Sequence, residues 1–200
     1  MHIAPGGIEL AAVLFALSLA TAIVGFLIPS VLLGLSGVFL LVFYRDPSRQ
    51  PAGTGIVSPA DGRIHSIDTG DDGRLQMVIF LNIWDVHVVR SPWEGQITDR
   101  QRRSGYRRPA FLAGAAKNAS VEYAFEDGLV TLRAGMFARR VRPYLDAGVT
   151  VDRGERIGHI AFGSRVDVTF PSEFDRSHLT INLGERVKAG STIVATEPAG

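Results

Sequence analysis

Residues 10–44 carry no charge, and apolar positions fall on every face of any helix drawn through them. No polar stripe is left for water. The stretch is nearly twice the ~20 residues that one membrane-spanning helix needs, and Pro29-Ser30 sits near its middle. The pattern predicts two short membrane helices, about 9–28 and 30–44, joined by a tight turn; one long kinked or re-entrant helix is the alternative. Asp46-Pro47-Ser48-Arg49-Gln50-Pro51-Ala52-Gly53-Thr54-Gly55 then reads as a linker. From Ile56 onward, short apolar runs alternate with polar positions between turn residues, as half-buried strands do. Strands are predicted over 62–68, 76–81, 87–90, 95–98, 120–125, 129–134, 156–161, 165–170 and 192–195, while 139–145 fits a helical turn or a strand. The expected fold is mostly β. It is a compact sandwich or barrel-like domain over 56–200, behind an N-terminal hydrophobic helical hairpin over 1–45 and a linker over 46–55.

Composition narrows the chemistry. The 200 residues have a formal charge of +1 and no cysteine. Disulfides, thiol nucleophiles and cysteine-held metals are excluded. Lysine occurs only at 117 and 188, so an amine-based Schiff-base enzyme would have few candidates. The histidines show no metal-ligand spacing, and no metal is expected. Arg45 and Arg49 follow the apolar stretch at once. Positive charge beside a membrane segment favours the cytoplasmic face, so the β domain is expected at the cytoplasmic side of the cell membrane.

Three places could carry chemistry. Gly163-Ser164 lies between two apolar runs and reads as a tight turn or bulge, where a Ser hydroxyl can attack the preceding carbonyl. In a strand, Asp85 and His87 would share a face, and a carboxylate beside an imidazole raises its basicity. Asp61, in Ser58-Pro59-Ala60-Asp61-Gly62, fits an ordinary turn as well as a catalytic acid. Arg100-Gln101-Arg102-Arg103-Ser104-Gly105-Tyr106-Arg107-Arg108 is a basic run suited to an anionic lipid surface. Nucleic acid is disfavoured by the near-neutral total charge.

The string Phe162-Gly163-Ser164-Arg165-Val166-Asp167 closely resembles the processing site of phosphatidylserine decarboxylases, in their short bacterial and archaeal form. Phe43-Tyr44-Arg45-Asp46-Pro47, Ser58-Pro59-Ala60-Asp61-Gly62, Asp85-Val86-His87-Val88-Val89-Arg90-Ser91-Pro92 and Ala138-Arg139-Arg140 resemble the family in the family's order. The resemblance implies self-cleavage between Gly163 and Ser164 into chains 1–163 and 164–200, which stay together as a heterodimer. It implies conversion of Ser164 to a pyruvoyl group that forms a Schiff base with the substrate amine, the electron-sink role that pyridoxal phosphate plays elsewhere. It implies proton transfer by His87, assistance to cleavage by Asp61, and a phospholipid substrate at the membrane, with phosphatidylethanolamine as product. Longer family members carry a second His where Arg90 stands here; Arg is a poor base, which leaves the cleavage base open and His87 a candidate for both steps. Arg139, Arg140 and Arg142 are candidates for the lipid phosphate, which guanidinium suits. Oligomerisation is open. The alternatives are a decarboxylase of another serine-headgroup lipid, such as archaetidylserine, or a non-catalytic membrane adaptor on a biotinyl-like domain. Residues 149–157 and 184–194 share Gly-Glu-Arg and resemble the turns of such carrier domains.

Overall fold

A computed structural model describes residues 2–51, 53–105, 118–135, 141–161 and 164–198. The candidate residues Gly163, Arg139 and Arg140, with Phe162, Arg107 and Arg108, lie outside the described residues. The chain divides into two compact units, Met1–Ser48 and Arg49–Gly200.

The first unit is a helical hairpin. Strand β1 (His2–Ile3) pairs with β2 (Arg45–Asp46), and between them run α1 (Gly7–Ile23) and α2 (Leu27–Phe43). The turn falls at Val24-Gly25-Phe26 rather than at Pro29-Ser30. Gly25 takes φ 93, a conformation that costs glycine little. Pro29 sits in the first turn of α2, where a missing N–H costs nothing because that donor has no helical partner anyway. No described helix is long and apolar enough to cross a membrane.

The second unit is β-rich. In chain order it contains β3 (Ile56–Val57), β4 (Gly62–Thr69), β5 (Leu75–Leu81), β6 (Val88–Arg90), β7 (Gly95–Arg103), β8 (Ser120–Phe125), β9 (Leu129–Ala134), β10 (Val141–Pro143), β11 (Thr150–Val151), β12 (Arg156–Ile160), β13 (Ser164–Thr169), a 3-10 turn (Arg176–His178), β14 (Arg186–Val187) and β15 (Ile193–Ala195). Among the described residues, one large sheet has the order β11-β7-β8-β9-β13-β5-β4-β14, and a small one the order β10-β12-β6. Strand alternation buries one face: β5 and β13 are buried at every second residue. Ile79, Leu81, Leu132, Val166 and Val168 from the large sheet pack with Val89, Val141, Ile157 and Ile160 from the small one. The predicted strand over 95–98 continues to Arg103, because charged residues on an exposed strand can still pair through their backbone with β8. The two Gly-Glu-Arg segments form the same turn. Asp152 N–H donates to Glu155 and Asn182 N–H to Glu185, each carboxylate accepting at 2.9 Å.

One topological feature positions everything below. Strands β9, β13 and β5 are neighbours in the large sheet, and β10, β12 and β6 are neighbours in the small sheet in the same order. Each pair is joined directly, over 135–140, 161–163 and 82–87. Three adjacent strands therefore turn from one layer into the other at a single corner. Ser164 is the first residue after that corner on the middle strand.

Candidate active site

Ser164 pairs with Leu81 of β5 on one side and Ala134 of β9 on the other. It belongs to the strand, so the turn expected at Gly163-Ser164 does not include Ser164. Alternation puts its side chain on the inner face with Val166 and Val168. The residue is 0% exposed, and its Oγ has no hydrogen-bond partner among the described residues. A buried hydroxyl left unpaired costs about 1–3 kcal/mol, and most buried hydroxyls avoid that cost.

His87 stands at the same corner, one residue before β6. Ile160, at the end of β12, donates its N–H to the His87 carbonyl at 3.1 Å. Ser164 follows Ile160 by four residues, so the chain keeps their Cα atoms within ~14 Å. His87 is 3% exposed and lies two residues before the core residue Val89. Both His87 and Ser164 are thus buried at this corner. Asp85 is not a strand partner of His87, because 82–87 is a tight loop: the Asp85 carboxylate accepts the Asn82 N–H at 2.7 Å. What His87 meets is the Asp85 backbone carbonyl, 2.9 Å from Nδ1. A carbonyl only accepts, so Nδ1 carries the proton and Nε2 is the basic atom.

The family model for phosphatidylserine decarboxylase matches residues 37–195. The chain belongs to the phosphatidylserine decarboxylase family. A Halobacterium salinarum relative named putative archaetidylserine decarboxylase proenzyme is 44% identical over 157 residues, covering 78% of this chain and 80% of the relative. The Thermobifida fusca phosphatidylserine decarboxylase proenzyme is 42% identical over 154 residues, 75% of this chain and 70% of that one. The proenzyme of that name from Solibacter usitatus is 40% identical over 182 residues, 85% and 83% of the two chains. No solved structure matches.

Asp61 ends next to β4, which is separated from β13 by β5, at the same end of the sheet as Ser164. Its carboxylate makes a two-pronged ion pair with Arg49 and accepts the Ala189 N–H at 2.8 Å. It does not bond Ser164. Gly62 beside it is required by packing, since a Cβ there would lie 2.2 Å from the Phe80 carbonyl oxygen. Arg90 is buried at the opposite end of β6 from His87 and donates to the Gly154 carbonyl at 2.9 Å. It serves the fold at that end of the strand. Arg49, Gly53 and Gly55 of the expected linker are bonded onto the β-unit, the latter two through carbonyls that accept from Arg153.

Three residues had no signal in the sequence. Asn118, 2% exposed, donates through Nδ2 to the Ala134 carbonyl at 2.7 Å, on the residue paired with Ser164. Tyr123 crosses from the large sheet to the small one and donates to the Ile157 carbonyl at 2.6 Å, where β12 bulges. Burial pushes its pKa up to about 12, so it stays a donor. Tyr144 Oη lies 2.9 Å from His159 Nδ1, and burial, aided by the Arg142 charge, lowers the His159 pKa to about 4. Arg102, Arg103 and Arg142 line a cavity of about 460 Å³ that Ala119, Ser120 and Val141 also line, close to Asn118. A larger cavity, about 650 Å³, lies beside Pro171 at the far end of β13, and Ser164 does not line it.

Proposed function

We propose that this chain is a precursor that cuts itself between Gly163 and Ser164 and then removes the carboxylate of a serine-headgroup phospholipid. The substrate is phosphatidylserine, and the products are phosphatidylethanolamine and CO2. The observation that carries the reading is the buried, unpartnered Ser164 hydroxyl at the corner of three strands. In the first step the Oγ proton passes to a base. Oγ bonds the Gly163 carbonyl carbon as the peptide C–N bond breaks, leaving an ester and a free amine. Loss of the Ser164 Cα proton then expels the Gly163 carboxylate and leaves dehydroalanine. Its imine tautomer takes up water and releases ammonia, so the residue ends as a pyruvoyl group.

The position fits that group. Ser164 already lies between the layers, and β13 is held by β5 and β9 on both sides without the bond to Gly163. The pyruvoyl ketone supplies an electron sink as the substrate carboxylate leaves. His87 supplies the proton movements. With Nδ1–H held by the Asp85 carbonyl, Nε2 is the atom that takes up and returns a proton. The arginine-lined cavity gives the lipid phosphate a cationic seat, for which guanidinium geometry is suited. The apolar hairpin holds the enzyme at a membrane, and Arg45 and Arg49 put the β-unit on the cytoplasmic face. The name of the Halobacterium relative favours archaetidylserine as a second substrate reading; headgroup loss from the two lipids, assayed side by side, separates them.

The test is the intact mass of the purified protein beside a Ser164→Ala variant. The wild type is expected as two chains, 1–163 and 164–200, the smaller blocked to Edman sequencing because a ketone has replaced its amine. Ser164→Ala is expected as one inactive chain. An active wild type that is uncut, with an unmodified serine at 164, would overturn the proposal.

A further inference from the structure

We infer that the α1–α2 hairpin is a one-sided membrane wedge: its tip, residues 23–28, ends inside the hydrocarbon and does not emerge on the far side. The inference rests on the membrane reading above for the presence of a bilayer. It adds the topology, and its occupant is the acyl region of the lipid.

The tip is built to be dry. Ile23, Val24, Leu27 and Ile28 are 70–78% exposed, and Phe26 is 59% exposed. Residues 23–28 contain no polar side chain. A turn that reaches water can leave its backbone groups to water; one inside hydrocarbon must satisfy them internally. Here four of the five N–H groups of residues 24–28 donate internally: Val24 to Ala20, Gly25 to Ala22, Phe26 to Thr21 and Leu27 to Gly25, all between 2.9 and 3.2 Å. Pro29 has no N–H, and Ser30 N–H donates to Phe26 at 3.1 Å. The hydroxyls nearby are closed in the same way. Ser18 donates to the Ser30 carbonyl at 2.8 Å and Thr21 to the Leu17 carbonyl at 2.9 Å, while Ser36, further along α2, donates to Leu32 at 2.8 Å.

Length and charge agree. Each helix has 17 residues, which at 1.5 Å per residue gives ~26 Å, short of a hydrocarbon core of ~30 Å even when upright. Within both helices the sole charged residue is Glu9, near the open end, where Arg45 and Asp46 also stand. That end is closed by β1–β2 pairing and by the Ala4 N–H bond to Tyr44 at 2.8 Å. The hairpin therefore has a charged base and an apolar tip, with nothing at the tip to rest among headgroups.

The absence of cysteine makes the test direct. Full-length Val24→Cys and Phe26→Cys, with Asp71→Cys in an exposed turn as reference, are reconstituted in sealed phospholipid liposomes. A membrane-impermeant maleimide is added outside, or on both faces by freeze–thaw. Two tip positions are used so that misfolding of one variant leaves the other. The reference should label, and both tip cysteines should stay unlabelled from either face until the protein is denatured. Tip labelling from the face opposite Asp71→Cys means that the hairpin crosses, and overturns the wedge alone. Tip labelling from the same face as Asp71→Cys means that the hairpin is not inserted, and the membrane reading falls with it. A nitroxide on the tip cysteine should be relaxed by oxygen and not by a water-soluble nickel chelate. Protection from both would put the tip against protein, such as a second copy, and would also overturn the proposal.

Discussion

Replacing the Ser164 hydroxyl by hydrogen should stabilise the uncut precursor, although it destroys the proposed reaction. The comparison needs a chain that keeps the serine yet stays whole, and His87→Gln, which removes the proposed base, is expected to provide it. Ser164→Ala is then made on that background. The hydroxyl is fully buried and unpartnered, so removing it relieves a desolvation cost of about 1–3 kcal/mol. The loss of a single oxygen forfeits a few atomic contacts at about 0.1–0.2 kcal/mol each. The gain wins by about 0.5–2.5 kcal/mol. At roughly 2–4 °C per kcal/mol for a chain of 150–250 residues, Tm should rise by a few degrees. Thermal unfolding of both proteins in one mild detergent, followed by tryptophan emission, measures it. A Ser164→Ala chain that melts lower than its parent would refute the reasoning, since the hydroxyl would then have a stabilising partner.

Four further outcomes are expected. After cleavage, chain 164–200 should co-elute with 1–163 in native gel filtration and separate only in denaturant, because β13 lies between β5 and β9 while β14 and β15 pair with β4 and β3; spontaneous dissociation would contradict the topology. Asp61→Ala should cost about 3 kcal/mol by leaving Arg49 charged and part-buried with only the Ala189 carbonyl to accept from it, with part of it recovered in Asp61→Leu/Arg49→Met, as read from urea unfolding. Tyr123→Phe leaves the Ile157 carbonyl without its donor, which should destabilise by about 1–3 kcal/mol and slow self-cleavage through the displaced β12 bulge, as read on a denaturing gel time course. For His159 the folded pKa is lowered to about 4 from 6.5. Its contribution is therefore present above pH 6.5 and lost as pH falls toward 4, by up to about 3 kcal/mol; His159→Gln should flatten that part of the stability–pH curve.

Much of the fold could be read directly. Strands over 120–125 and 129–134 lie where their alternation puts them, because period-two burial is a local signal. The hairpin was legible as well, since 35 uncharged residues are nearly twice what one span needs, although one long kinked helix fitted the same pattern. Its turn was misplaced because a proline near a helix start looks, in sequence alone, like a helix end. Ser164 and His87 stand out in the sequence as candidates through the motifs around them. The partner of His87 was misread, because Asp85 and His87 share a face only in a strand, and the local chain is a loop closed by the Asp85 carboxylate on Asn82.

The period of each strand, the apolar hairpin and the nucleophilic and basic side chains are short-range properties, carried by neighbours in the chain and legible there. That three neighbouring strands of each sheet lie in matching order at one corner emerges from the folded chain alone. Only there do His87 and Ser164 come to be buried at that corner, with Asn118 on the strand partner of Ser164. Asp61, two strands away, is already claimed by Arg49 and Ala189. The physical reason is that cross-strand pairing is set by the collective burial of two sheet faces. No single segment encodes which distant backbone its hydrogen bonds will meet.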